Sequence, residues 1–373
     1  MKNNSLYFLC ACFFAVAFGQ LNALPRFAIA KGMKCASCHV NPTVGQMRNQ
    51  YGTTTYSLEE LPLTSFFDNE FTFDPKISDN ITLGSDFRGQ YIAEEVLHTS
   101  AYHAMMATVY AAVNLSKKAT FYYKEDIING TYGTSYPGTE AFALVKGLPG
   151  NFYAKAGIFS PDFGWRIDDH TAFTRGGDYG FTGLFFVQNY KDIGVEIGNF
   201  YDDFFITIGI FDGTGNYNKL HFSKEKAIAA KIEYAQKFFG QNYRIGISHY
   251  TYRNYNMQGI NFGIGTSDFT FLADVDWTKN RLDISNYQIT EKVRSTTAFA
   301  EIDYLVLQGL WLTGRYDFYD HQQGIKDDEI KRLNIGMEFF PMSFIELRPF
   351  YRFNIEKPDA SNNQFIFQTH IWF

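Results

Sequence analysis

The sequence predicts an all-β fold: an antiparallel transmembrane β-barrel of about sixteen strands, preceded by a short N-terminal segment. Segments of about 9–11 residues with alternating polar and apolar positions recur to the end of the 373 residues, as barrel strands do. Aromatics make up 18% of the chain, yet mean hydropathy is only −0.22. That combination suits sheets with one greasy and one wet face. Beyond the N-terminal leader, no apolar run is long enough for a spanning helix. A net charge of −6 gives no reason to expect a nucleic-acid partner.

Residues 1–23 read as a secretory signal. Lys2 is its basic start, Leu6 to Phe18 its apolar core, and Ala17-Phe18-Gly19 or Leu21-Asn22-Ala23 its cleavage site. Cys10 and Cys12 fall inside it, which leaves Cys35 and Cys38 as the thiols of the exported chain.

Residues 24–79 carry Cys35-Ala36-Ser37-Cys38-His39, the spacing of c-type haem attachment. The two thiols would add to the haem vinyl groups, and His39 would ligate the iron. A Cys35–Cys38 disulfide and half of a zinc site are the competing readings, but a four-cysteine zinc site lacks its second pair here. An export signal agrees with haem, which is attached after export. Arg26 to Lys34 is expected to form a short helix against the haem edge, and Pro42 and Gly45 to break the chain after it. The segment is too small to bury a haem alone, so other walls are required.

Residues 80–373 are the barrel. Candidate strands begin near residues 80, 103, 117, 138, 151, 188, 203, 225, 241, 257, 268, 293, 308, 330, 343 and 363. That is sixteen, and a single-chain barrel needs an even number. Short periplasmic turns are predicted near Ser116, Pro149, Asp202, Phe239, Thr266, Gln308 and Met342. Longer outer loops fall between them, such as Asp212 to Lys224 and Lys279 to Lys292. Within one strand Leu333, Ile335, Met337 and Phe339 face one way and Asn334, Gly336 and Glu338 the other. In the next, Ile345, Leu347, Tyr351 and Phe353 oppose Glu346, Arg348 and Arg352. A soluble sandwich also alternates, but charges along the polar face suit a wet lumen. The last strand ends on an aromatic, Phe373.

At Pro25, Phe27, Ala28, Gly32 and Cys35-x-x-Cys38-His39 the N-terminal segment resembles the outer-membrane fusions of a monohaem cytochrome c to a porin, best known from iron-oxidising bacteria. The barrel is similar in pattern and size only. After His39 the chain reads Val40-Asn41-Pro42-Thr43, with proline one place earlier than that family usually has it. The resemblance implies one covalent haem c in or at the mouth of a sixteen-strand barrel in the bacterial outer membrane. It also implies membrane lipid around the barrel, a periplasmic c-type cytochrome as partner, and an extracellular redox partner such as Fe(II). Residues 160–187, the longest loop, would fold into the lumen as the third loop of sixteen-strand porins does; a solvated surface loop is the other reading.

The expected iron ligands are His39 and, in sixth position, Met47, eight residues on. Met33, His170 and an open or water-bound position are the alternatives. Acidic residues such as Asp168, Asp169, Asp274, Asp276, Glu301 and Asp303 either draw cations toward the haem or wet the lumen. The functional expectation is an electron conduit between an extracellular donor or acceptor and periplasmic cytochromes. The alternative is a diffusion or anion-uptake porin with a regulatory or assembly-related haem segment, where Arg315, Arg348 and Arg352 form a basic ladder. No catalytic side chain is singled out, and Fe(II) oxidation and plain extracellular electron transfer are both open.

Overall fold

The computed structural model describes residues 25–43, 45–64, 73–96, 98–129, 138–167, 169, 171–175, 190–213, 220, 222–283 and 288–373. The signal 1–23, Asp168 and the candidate ligand His170 lie outside the described residues.

The N-terminal segment contains helix α1 (Pro25–Lys31), strands β1 (His39–Asn41) and β2 (Gly45–Arg48), and a π-helix, Gly52–Glu60. A short strand β3 (Lys76–Ser78) leads into the wall. The wall is β4 (Ile81–Glu94), β5 (Thr99–Asn114), β6 (Ala119–Asn129), β7 (Glu140–Leu148), β8 (Phe152–Phe159), β9 (Asp192–Tyr201), β10 (Phe204–Phe211) and β11 (Ala227–Phe238). It continues with β12 (Gln241–Tyr252), β13 (Tyr255–Gly265), β14 (Phe269–Asp283), β15 (Gln288–Leu307), β16 (Leu310–Asp320), β17 (Glu329–Met342), β18 (Ile345–Ile355) and β19 (Gln364–Trp372). Each strand pairs antiparallel with the next, and β19 closes on β4 from Gln364 opposite Glu94 to Trp372 opposite Asp86. Closure satisfies every edge, which lipid demands because it offers no hydrogen bonds.

The sixteen wall strands start within five residues of their predicted positions, and the seven predicted short turns are all present. Two-residue turns need unusual backbone: Phe239 and Gly240 have φ of 48° and 78°, both positive, as a type I′ turn requires. Alternation sorts the side chains. Along β10, Ile206, Ile208 and Ile210 are 44–53% exposed and face lipid, while Phe205, Thr207 and Phe211 are buried.

The N-terminal segment enters this barrel at its short-turn, periplasmic end. Helix α1 begins with Pro25, whose missing N–H costs nothing at a first position. It ends in a Schellman motif: Met33 N donates to Ala28 O (2.7 Å), Gly32 N donates to Ile29 O (3.0 Å), and Gly32 has φ of 67°. The sequence predicted a helix over Arg26 to Lys34; this cap stops it at Lys31. The wall is shaped to receive it. A side chain at Gly263 would overlap Ile29, and Asn242 Nδ2 donates to Ile29 O (2.7 Å) and Ala30 O (3.1 Å). Phe27 packs edge-on to Trp311 and Phe340 (5.7 and 6.1 Å between ring centres). On the opposite side, Gln308 Nε2 donates to Glu59 O (3.0 Å) and Pro62 O (2.8 Å), and Ser343 Oγ donates to Leu58 O (2.7 Å).

The stretch after β8 also lies inside the lumen. Ser160, Asp162, Trp165, Asp169, Thr171 and Arg175 are all buried. Gly164 N donates to Ser248 Oγ (2.9 Å) and Trp165 N donates to Asp274 Oδ2 (3.0 Å), on wall strands β12 and β14. Asp169 is bound by Arg315 and lies 3.7 Å from Arg352, on β16 and β18.

Candidate functional site

The Cys35-x-x-Cys38-His39 run begins on a 3-10 turn, Cys35–Ser37. Asn49 ties it down. Its backbone N–H donates to Cys38 O (2.7 Å), its amide donates to Ser37 O, and its Oδ1 accepts from Gly52 N (3.0 Å) at the start of the π-helix. Gly52 is required here because a Cβ would collide with the Cys38 carbonyl. Cys35 and Cys38 are not joined in a disulfide. Burial pushes the Cys38 thiol up to about 12.

His39 stands on the β1–β2 hairpin directly opposite Arg48. Its Nδ1 is 2.9 Å from Gln46 O, so Nδ1–H donates there and Nε2 keeps its lone pair. Burial, reinforced by the Arg48 charge, lowers its pKa to about 4. The ring is therefore neutral, as metal ligation requires. Gly45 lies over the ring face: a Cβ there would sit 3.7–3.8 Å from Nε2, Cδ2 and Cε1 alike. That near-equality puts it above the ring rather than on the in-plane lone pair.

Cys35, Cys38 and His39 all line one cavity between the N-terminal segment and the wall. Aromatic walls come from Phe27, Tyr56, Phe340 and Trp372, and charge of both signs from Lys34, Arg48, Arg166 and Arg244 and from Asp86, Asp203, Glu233 and Glu346. The donor set fits a covalently attached haem: two cysteines at the attachment spacing and not joined in a disulfide, a neutral imidazole whose Nδ1–H is held by a backbone carbonyl, and apolar walls from the barrel.

Met47 is not brought to this site. Strand period places it on the opposite face of β2 from Arg48, where it is 1% exposed in a cluster with Tyr110 and Tyr122. A Cβ at Gly84 would touch its Cγ at 3.5 Å. Met47, the expected sixth ligand, is not among the residues that line the cavity; Met106, on β5, is. The sequence reading also missed Arg48, Arg166 and Trp372. Gly45 after Asn41-Pro42 signals a hairpin, and that register alone puts Arg48 beside His39; the other two had no local signal.

The proposed basic ladder is not free. Arg315 Nε bonds Asp317 Oδ2 (3.0 Å) and its Nη2 bonds Asp169; Arg348 bonds Glu346 Oε1 (2.6 Å) and Glu338 Oε1 (3.1 Å); Arg352 Nε bonds Asn334 Oδ1 (2.8 Å). Three of the acidic positions are tied in a similar way. Glu301 is 3.7 Å from Arg315, Asp303 accepts from Thr270 (2.8 Å) and Thr313 (2.9 Å), and Asp274 is 3.7 Å from Arg175. Among the described residues no three His, Cys, Asp or Glu side chains converge on a metal position.

No protein-family model and no curated protein matches the chain. Solved structures match its fold. OprB of Pseudomonas putida aligns with TM-score 0.58 and 11% identity, over 79% of this chain and 94% of that one. The anion-selective porin from Comamonas acidovorans aligns with TM-score 0.54 and 13% identity, over 78% and 98%. The outer membrane channel DcaP of Acinetobacter baumannii aligns with TM-score 0.51 and 12% identity, over 81% and 99%. The chain is a sixteen-stranded barrel of the outer-membrane porin type, with an apolar face for membrane lipid.

Proposed function

We propose that the protein is an electron-exchanging porin. One c-type haem is held through Cys35, Cys38 and His39 at the periplasmic mouth. Electrons pass there between a periplasmic c-type cytochrome and a small redox solute, Fe(II) being one, that enters the lumen from outside. The observation that carries the reading is the position of His39, lining a lumen cavity beside Cys35 and Cys38 with Nδ1 held by Gln46 O. When bound, such a haem supplies a one-electron Fe(III)/Fe(II) couple.

The chain's own residues account for the rest. The hydrocarbon layer is about 30 Å thick, too wide for one haem to bridge, so the lumen carries the solute inward. Phe27, Tyr56 and Trp372 exclude water around the cavity, which sets the dielectric that tunes a redox centre. The Gln46 carbonyl orients His39 and raises its donor strength.

A membrane-impermeant electron donor added to intact cells tests this. Haem absorbance changes within the assay in cells making the protein, and does not in cells making the Cys35→Ala/Cys38→Ala variant. Equal absorbance changes in both strains would contradict the reading.

A second reading is a diffusion porin whose N-terminal segment regulates the pore. Its support is the likeness in fold to OprB and to the anion-selective porin from Comamonas acidovorans. Planar-bilayer recordings separate the two. A steady open conductance from the full chain favours this second reading, and a closed barrel favours the first.

A further inference from the structure

We propose that Arg48 and Arg166 are carboxylate-binding residues, each receiving an anionic group of the ligand held in the Cys35–His39 cavity. The inference rests on the reading of that cavity as a ligand site and names which of its residues hold the ligand's charge.

Several lumen guanidiniums face a carboxylate closely. Arg244 lies 3.3 Å from Glu233, and Arg315 and Arg348 have the hydrogen-bonded carboxylates described above. Arg48 and Arg166 differ, and both line the cavity. Among the described residues Arg166 has no carboxylate within 4.0 Å, and its one hydrogen bond goes to Pro161 O (3.3 Å). Arg48 makes no hydrogen bond among the described residues. Its one carboxylate, Asp86, is 3.8 Å away, is bonded by His370 and is shared with Arg88 at 3.8 Å. The Arg48 guanidinium instead lies 4.8 Å over the Trp372 ring.

Both guanidiniums are partly exposed within the cavity, and a planar fork of donors matches a carboxylate bidentately. Arg48 projects from the same hairpin face as His39, so the anion it receives belongs to a ligand lying against that ring. Haem propionates supply such carboxylates, and so does a free dicarboxylate entering a porin.

The test uses the full-length protein with Arg48→Gln, Arg166→Gln, Arg48→Lys, and Lys357→Gln as a surface control. With haem present, each Gln variant keeps its covalent haem but lowers the reduced-to-oxidised ratio at fixed potential about tenfold, or ~59 mV. The propionate bending band in the resonance Raman spectrum moves with it. Arg48→Lys recovers most of the potential, and Lys357→Gln changes nothing. Unchanged potential and Raman band in both Gln variants would overturn the assignment while leaving the haem reading intact. If the wild-type protein carries no haem, that reading fails and succinate in planar bilayers becomes the probe. The succinate concentration for half-block then rises about tenfold in the Gln variants if the residues bind carboxylates, and is unchanged if they do not.

Discussion

Trp372, on the strand that closes the barrel, donates its indole N–H to Ser57 Oγ in the N-terminal π-helix at 3.0 Å. The same indole packs on Phe340 (6.1 Å) and His370 (4.6 Å). The wall and the inserted segment are thus locked at the strand whose pairing with β4 completes the cylinder. Trp372→Phe removes the hydrogen bond alone, worth about 1 kcal/mol. Trp372→Ala also empties the packing site, at about 3–5 kcal/mol. Limited proteolysis of the folded barrel should therefore cut residues 25–64 faster in the order Ala, Phe, wild type, with the wall resistant throughout.

The Asn49 knot makes a second prediction. Asn49→Ala loses the bonds to Ser37 O and Gly52 N and leaves buried partners unmade, costing about 1–3 kcal/mol locally. The yield of covalent haem on denaturing gels should fall severalfold, while the heat-shifted mobility of the barrel stays that of wild type.

Arg315 tests whether its ion pairs or a basic ladder is its role. Its guanidinium serves Asp169, Asp317 and Glu301, so Arg315→Met strands buried carboxylates at a cost of about 3–5 kcal/mol. The expected outcome is a barrel that melts at lower temperature on heated gels. A ladder role would instead reduce anion selectivity in bilayers with no change in melting.

Acid should loosen the inserted segment. His39 is held at about 4 in the folded chain, below the ordinary value of about 6.5. The unfolded segment therefore binds the proton first, and docking free energy is full above pH ~6.5 and falls as pH drops toward 4. The total loss is about 3 kcal/mol at 1.36 kcal/mol per pH unit. In the haem-free Cys35→Ala/Cys38→Ala variant, protease sensitivity of residues 25–64 should rise across that window, and His39→Gln should flatten the profile.

Much of this architecture was legible before the fold was known, and the reasons are local. Leu333, Ile335 and Met337 opposing Asn334 and Glu338 is a period-two pattern that only a two-faced strand explains, and repetition of that pattern yielded the strand count. The largest boundary errors fall at β5, β9 and β15, which start at Thr99, Asp192 and Gln288 rather than near 103, 188 and 293. At β5 the first residues carry no alternation to read: Thr99 to Tyr102 are all exposed. The π-helix was invisible because Thr53-Thr54-Thr55 is a β-branched run with low helix propensity, held in place by Gln308, Ser343 and Trp372 from far along the chain. Nearness in sequence does not set direction: the β2 pleat turns Met47 toward Tyr110 and Tyr122.

Haem stoichiometry of the purified full-length protein tests the central claim most directly. Expressed in cells that mature c-type cytochromes, the protein should give one haem per chain by the pyridine haemochrome method, retained on a denaturing gel and abolished in Cys35→Ala/Cys38→Ala. A wild-type chain that inserts as a barrel and carries no covalent haem would contradict the account.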